Sequence, residues 1–210
     1  GRDWSSDVCS SDLDVVGSGA HVAFADSAAT RSITLVRDGA GQIPWDATSV
    51  DRTVHIVYGP SSRLWANRTF SAGLGSRVLD LEEMRLDERT DSSQWEMAAA
   101  AVRDADRVLL SAYVHPSAGS GADALPEPLR DLLAEPTASG RPPAVISFGS
   151  PYILAALPAE TALMLAWGDR ALPQDAALAA MGERGQNLTF TVDSDEAGDP
   201  AVTARRIRGT

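Results

Sequence analysis

The sequence predicts an α/β protein, a three-layer α/β/α sandwich built around a mostly parallel sheet. Short runs rich in Val, Ile and Leu recur along the chain, as is typical of strands that are buried on both faces of a parallel sheet. Helical segments separate these runs, and parallel strands need such crossover connections. With 210 residues, of which 44% are hydrophobic, the chain is long enough to bury one sizeable core.

Six strands are predicted from the apolar runs. They lie at residues 33–37, 53–58, 77–81, 107–113, 144–148 and 162–167. The segment "LTFTVD" at 188–193 is consistent with one further strand.

Five helices are predicted between the strands. They lie at residues 21–31, 62–70, 92–104, 126–133 and 173–181. Ser93 and Glu96 have the spacing of a capping box at the start of the third helix. Pro126 stands where the first turn of the fourth helix tolerates proline.

These elements predict one sandwich domain over residues 33–193. A linker and helix at 14–32 precede it, and we expect the acidic tail at 194–210 to be poorly ordered. The loops at 117–123 and 135–143 are rich in Gly, Ser and Pro, which indicates surface connections.

The opening segment differs from the rest of the chain. "DWSSDVCSSDL" at 3–13 holds four serines in eleven residues and the only cysteine, Cys9. It resembles one translated frame of a common short-read sequencing adapter, so we expect residues 1–13 to be an artefact that replaces an earlier part of the protein. Without Cys9 the chain has no thiol nucleophile and no cysteine metal ligand.

Composition excludes several functions. The formal net charge is −11, which disfavours binding to nucleic acid. No apolar run reaches the roughly 18 residues of a membrane-spanning helix. All 18 basic residues are arginines, which is typical of a GC-rich, bacterial genome and rules out a P-loop, whose motif needs lysine. A G-x-S-x-G nucleophile motif is also absent. Cytoplasmic and exported locations both stay open.

Two blocks of sequence resemble a known family. "RSITLVRDGAGQIPW" at 31–45 resembles the stretch where the chain of a family 3 glycoside hydrolase leaves its catalytic barrel and begins the C-terminal domain. "PPAVISFGSPYIL" at 142–154 and "LMLAWGD" at 163–169 are similar to the same domain in the β-N-acetylglucosaminidase-like branch. The blocks stand in the expected order and cover most of the chain from Ile33 to Ala180. After Met181 the likeness ends.

The resemblance implies an accessory domain without its catalytic half. In that family the barrel hydrolyses the glycosidic bond with an aspartate nucleophile and a His–Asp pair, and retaining hydrolysis needs two such groups about 5 Å apart. Neither the lysine-containing barrel loop nor a strand ending in Ser-Asp is found here. The expected partner is therefore the missing barrel of the same parent chain, with carbohydrate bound only through that barrel. We expect no catalytic residue, no cofactor and no metal site in this chain.

Four residues are candidates for a rim that faces the barrel or a ligand, because open α/β sheets gather ligand contacts at the carboxyl ends of their strands. They are His115, Ser117, Ser150 and Asp169. The alternative is that the Gly and Pro residues around them only make tight turns from strand to helix.

The remaining histidines and tryptophans favour structural roles. His21, His55 and His115 lack the spacing of a metal site, and His55 lies within a strand as a structural or edge residue. Trp95 and Trp167 fall on core-facing patterns, and Trp45 is expected to pack the linker.

A second function stays open beside the accessory role. The same fold is that of flavodoxin-like proteins, so the chain is alternatively a stand-alone module that holds a small ligand over the carboxyl ends of its strands.

Overall fold

The computed structural model describes residues 17–45, 50–63, 65–115, 125–182, 190–193 and 203–206. The helices in these ranges are α1 (Gly19–Ser32), α2 (Arg68–Gly75), α3 (Ser92–Asp104), α4 (Glu127–Ala134) and α5 (Ala171–Gly182). The strands are β1 (Thr34–Arg37), β2 (Thr53–Tyr58), β3 (Leu81–Leu86), β4 (Arg107–Ala112), β5 (Ala144–Ser147), β6 (Ala162–Leu165), β7 (Phe190–Asp193) and β8 (Thr203–Arg206). Two 3-10 turns lie at Ser61–Arg63 and Pro151–Ala156.

Six strands form one sheet in the order β1-β6-β5-β4-β2-β3. Strands β2 to β6 are parallel to their neighbours, and only β1 runs antiparallel, beside β6. Helices cover both sides, so the predicted α/β/α sandwich with a mostly parallel sheet is confirmed.

Each side of the sheet buries its own core. On the α3–α4 face, residues such as Ile56, Leu110 and Leu129 pack between the sheet and helices α3 and α4. On the α2–α5 face, residues such as Phe70 and Leu178 pack between the sheet and helices α2 and α5. Alternate residues of each strand enter the two cores, because successive side chains of a strand point to opposite faces.

Helix α1 is peripheral to this sandwich. None of its residues is buried, and Ala29 packs only partly against the α2–α5 face. Since isolated helices of this length are marginal in water, α1 gains little stability from its own contacts. Across all described residues, no helix combines the length and hydropathy needed to cross a bilayer.

One predicted strand is wrong in position. The strand predicted at 77–81 lies at Leu81–Leu86, because the amides of Arg77 and Val78 bond to the carbonyl of Leu74 and close helix α2. Strand β3 is one of the two edge strands of this sheet, and its exposed Glu82 and Glu83 interrupt the apolar run that would have predicted it.

Two helix starts also differ from their predictions. The helix predicted at 62–70 is split into the 3-10 turn Ser61–Arg63 and helix α2, which follows Asn67. The capping box of α3 uses Asp91 and Gln94, two residues before the predicted pair. The Asp91 carboxylate accepts from the Gln94 amide at 2.9 Å, and the Gln94 side chain accepts from the Asp91 amide at 3.0 Å.

Strand β7 falls within the strand predicted at 188–193. It pairs with β8 as an antiparallel hairpin, and β8 lies inside the tail at 194–210.

Candidate functional site

The carboxyl-end rim is the set of turns at 59–63, 113–115, 148–152 and 166–170, which follow strands β2, β4, β5 and β6. Because these strands are parallel, all four turns lie at one edge of the sheet. The turns approach each other closely: a Cβ atom at Gly149 would overlap the backbone carbonyl of Val114. Glycine is therefore required at this position for packing between turns.

A charged cluster joins three of these turns. The carboxylate of Asp169 accepts a hydrogen bond from His115 Nε2 at 3.1 Å on its Oδ2 atom, which also pairs with Arg63 Nη1. The Asp169 side chain is only 17% exposed, whereas those of His115 and Arg63 are more open to solvent. Partial burial strengthens these charge-assisted hydrogen bonds.

Gln174 on α5 fixes the position of Asp169. Its side-chain amide donates to the carbonyls of Asp169 at 2.7 Å and Ala66 at 2.6 Å, and its oxygen accepts from the Phe70 amide at 2.7 Å. Gln174 is buried, so this one side chain ties the turn after β6 to the start of α2.

The four predicted rim residues do not behave alike. The structure brings His115 and Asp169 together, as described above. Ser150 is buried in the turn after β5, where its amide donates to the Val114 carbonyl at 2.7 Å and its hydroxyl accepts from the Tyr152 amide at 3.2 Å. Ser117 lies outside the described residues. Ser150 thus shapes the turn, and its role toward a barrel or ligand stays a prediction.

Exposed aromatic side chains stand in or next to the turns of the rim in sequence. Trp65, Tyr152 and Trp167 are each more than half exposed. Trp167 was expected in the core and is instead 54% exposed, because the backbone turns at this residue with φ of +60°. Trp95 is partly buried against the α3–α4 face, as its pattern indicated.

A second carboxylate at this edge is held by the turn after β2. Glu88, just beyond β3, accepts from the hydroxyl of Ser61 at 2.5 Å and from its amide at 2.9 Å. These bonds lower the pKa of Glu88 to about 2. A carboxyl group with so low a pKa is unsuitable as a general acid at neutral pH.

His55 is central in the sheet and fully buried. Its Nδ1 lies 3.0 Å from Glu83 Oε2, and its Nε2 lies 2.7 Å from the hydroxyl oxygen of Ser111, both within hydrogen-bond distance. The order Ser–His–Glu is that of a nucleophile, a base and an orienting acid. Here Ser111 is fully buried, one residue before the end of β4, which indicates a structural role for the group.

Sequence reasoning missed the residues that position the cluster. Arg63 stands in a 3-10 turn within a segment predicted as helix, and Gln174 is a polar residue inside an apolar helix. The signal in the sequence for Gln174 is a polar glutamine at a core-facing position of an alanine-rich helix, because a buried amide needs hydrogen-bond partners.

The opposite end of the sheet holds a small, mostly apolar cleft. Trp45 lines this cleft, and the Arg107 guanidinium lies 5.6 Å from the centre of the Trp45 ring. Asp51, which also lines the cleft, forms ion pairs with Arg107 and Arg141. Trp45 is buried in the core of the α2–α5 face, and its amide donates to the Met181 carbonyl at 2.6 Å, whereas its packing on the linker stays a prediction. Within the described ranges, no group of three or more His, Cys, Asp or Glu side chains is arranged to hold a metal ion.

Comparison with known proteins identifies relatives by fold. No protein-family model and no curated protein matches the sequence. Among solved structures, a fungal multi-domain GH3 β-N-acetylglucosaminidase, described as having a GCN5-related glucosamine N-acetyltransferase region, matches 90% of this chain with a TM-score of 0.63 at 18% identity. A family 3 β-N-acetylglucosaminidase from Paenibacillus sp. str. FPU-7 matches 81% with a TM-score of 0.60 at 18% identity. The β-glucoside phosphorylase BglX matches 79% with a TM-score of 0.59 at 19% identity.

The match covers only part of each relative. The chain corresponds to 21% of the fungal enzyme, 31% of the Paenibacillus enzyme and 30% of the phosphorylase. At these identities the likeness is one of fold, and the fold recurs as a minor part of much longer carbohydrate-active proteins.

Proposed function

We propose that this chain is the accessory C-terminal α/β domain of a family 3 glycoside hydrolase of the β-N-acetylhexosaminidase or β-glucosidase kind, and that it does not hydrolyse glycosides alone. The observation that carries the proposal is the coverage: 79–90% of this chain matches 21–31% of larger enzymes of carbohydrate metabolism. Because the matched domain is less than a third of each relative, most of each relative's length lies outside it and is available for other functions, including catalysis.

The sequence blocks and the fold support the proposal together. The block at 31–45 contains β1, the block at 142–154 contains β5, and the block at 163–169 holds most of β6. These three strands are neighbours in the order β1-β6-β5, although 96 residues (46–141) lie between the first block and the second. Family-like sequence is therefore gathered in one half of the sheet.

The chemistry of the rim supports a non-catalytic role. Retaining hydrolysis needs one ionised carboxylate and one proton donor flanking the same bond. Asp169 is paired with Arg63 and His115, and Ser61 keeps Glu88 ionised with a pKa of about 2. Glu88 is therefore not poised to deliver a proton at neutral pH.

The path of the chain indicates where a preceding domain packs. Thr34, at the start of antiparallel β1, pairs with Leu165 at the end of β6, so the chain reaches the sheet at the rim. Helix α1 leads to this point and exposes Val22 and Phe24. We expect the barrel of the parent protein to cover this helix and part of the rim, which gives the domain a structural role in shaping access to the barrel.

An assay of the purified chain tests the proposal. Chromogenic N-acetyl-β-glucosaminide and β-glucoside are offered with and without phosphate, because one relative is named a phosphorylase. We expect no turnover above the protein-free rate. Turnover that the Asp169→Asn variant abolishes would refute the non-catalytic assignment.

The gene locus provides an independent test. Resequencing across the first fifteen codons is expected to extend the reading frame upstream into a barrel. A start codon near Asp14 with no barrel upstream contradicts the accessory role and favours the small-ligand module.

A further inference from the structure

The amino-end cleft is the small cavity at the end of the sheet opposite the rim. Its walls come from the segment after β1 and from the ends of helices α2 and α5, and nearly all of its surface is apolar. The apolar side chains that line it are Trp45, Leu74, Val78, Leu178 and Met181. Arg77 and Gly182 also line it and are exposed, so the cleft opens to solvent.

The size of the cleft limits what can occupy it. Its cavity volume is about 30 Å³, and one water molecule needs roughly 10–15 Å³, whereas an engineered apolar cavity that binds benzene has about 150 Å³. An aromatic or sugar ring is therefore too large to enter, but the end of an aliphatic chain can fill the space. Because few polar groups face the cavity, water gains little there and burial of an aliphatic group is favourable.

Arg77 brings to the cleft a positive charge that no carboxylate of the described residues neutralises. Its Nη1 donates to the Leu178 carbonyl at 2.8 Å near the end of α5, and within the described ranges this is its one hydrogen bond. A guanidinium has five N–H donors. Arg77 therefore retains donors for a ligand that reaches the surface beside it.

The other charged groups of the cleft do not cancel this charge. Asp51 forms ion pairs with Arg107 at 2.7 Å and with Arg141 at 2.6 Å, so two arginines share one carboxylate. The cleft thus has a locally positive edge, although the formal net charge of the chain is −11. Charge complementarity favours an anionic ligand, and the planar guanidinium matches the geometry of a carboxylate.

We propose that the amino-end cleft binds a short aliphatic carboxylate. The hydrocarbon end of the ligand lies against Trp45, Leu178 and Met181, and its carboxylate pairs with Arg77. This site goes beyond the accessory role, because it lies at the end of the sheet away from the rim and takes a ligand that is not a sugar.

Titration of the whole chain with isocaproate tests the site. Saturation-transfer NMR reports binding, and we expect a dissociation constant on the order of millimolar, as for a ligand with few heavy atoms. Isocaproamide keeps the hydrocarbon end without the charge and is expected to bind about fivefold more weakly. Acetate keeps the charge without the hydrocarbon end and is expected to bind more than about tenfold more weakly.

Two variants separate the charge from the cavity. Arg77→Gln is expected to weaken isocaproate binding about fivefold and to leave isocaproamide binding unchanged, which a general disturbance of the structure would not do. Val78→Phe places a ring in the cleft and is expected to abolish the binding of both ligands. Arg89→Gln is the matched control, because Arg89 is an exposed arginine just beyond β3, at the rim end of the sheet.

Circular dichroism and thermal melting confirm that each variant is folded, and if Val78→Phe is not, Arg77→Gln still decides the test. Each of the following results overturns the site: no saturable binding of isocaproate at about 20 mM, equal binding of isocaproate and isocaproamide, and isocaproate binding that Arg77→Gln or a folded Val78→Phe leaves intact. Self-association that Val78→Phe removes, without binding of isocaproate, also overturns it and assigns the cleft to protein docking. The accessory role is tested separately, by the glycoside assay and the gene locus.

Discussion

The two faces of the sheet are equally well covered and differ in chemistry. On the α3–α4 face, strands β2 and β4 contribute only apolar side chains: Val54, Ile56, Val108, Leu110 and Ala112. On the α2–α5 face, the same two strands contribute His55 and Ser111 among their buried residues. Among the buried residues of β2 and β4, those on one face are thus all apolar, whereas those on the other face include a hydrogen-bonded pair of polar side chains.

This pair begins a polar chain that leads from the centre of the sheet to the rim. His55 bonds to Glu83, and Asn67 at the start of α2 donates to Glu83 at 3.4 Å. Arg85 then bonds to Asn67 and to the carbonyl of Arg63, whose side chain holds Asp169. The comparison teaches that the α2–α5 face supports the rim, whereas the α3–α4 face supports only the fold.

The largest expected effect is on the apolar face. Leu110→Ala removes a fully buried side chain at the centre of β4, and we expect the free energy of unfolding to fall by about 3 kcal/mol. Urea denaturation followed by circular dichroism measures the change.

The exposed leucine at position 79 provides the control. Leu79→Ala is expected to change the free energy of unfolding by less than about 0.5 kcal/mol. A loss below about 1 kcal/mol in Leu110→Ala would show that this face is loosely packed and would remove the contrast between the two faces.

The second effect tests the polar chain. Ser111→Ala leaves His55 Nε2 buried without its hydroxyl partner, and His55→Phe leaves the Ser111 hydroxyl in the same state. Each substitution is expected to lower the free energy of unfolding by about 2 kcal/mol, the cost of an unsatisfied buried polar group.

The double variant separates pairing from burial. With both partners apolar, His55→Phe with Ser111→Ala is expected to cost about 1 kcal/mol less than the sum of the single changes. Strict additivity in urea denaturation would mean that the two residues are uncoupled and that the polar chain has no energetic basis.

Much of the fold could be predicted from sequence because the sheet is buried on both faces. Strands β2, β4 and β5 lie where their apolar runs predict them, and α3 has the predicted bounds. Strand β3 was misplaced because an edge strand exposes its charged residues, and apolar periodicity is then weak.

The candidate site was only partly predictable. His115 and Asp169 were predicted because ligand contacts gather at the carboxyl ends of parallel strands. In the structure His115 Nε2 lies 3.1 Å from Asp169 Oδ2. Arg63 comes from another turn more than 100 residues from Asp169 in sequence, and such pairings depend on tertiary packing. Trp167 was misjudged because a hydrophobic run does not reveal a left-handed turn at its end.

The smallest expected effect is the pH dependence that the polar chain brings to the α2–α5 face. Partial burial opposes ionisation of Glu83, but bonds from His55 and Ser71 and the charges of His55 and Arg85 leave its pKa below the ordinary value. A carboxylate with a lowered folded pKa contributes stability above its unfolded pKa of about 4.5 and loses it as the pH falls through the folded value.

Glu83→Gln is therefore expected to reduce the loss of stability between pH 7 and pH 3. The difference is about 0.5 kcal/mol, because more than a third of the Glu83 side chain is exposed and solvent screens the interaction. Thermal melting at several pH values measures it, with Glu96→Gln on the exposed surface of α3 as a variant that keeps the wild-type profile. If the two glutamine variants had identical profiles, the α2–α5 face would carry no titratable contribution, and apolar burial would account for both faces of the sheet.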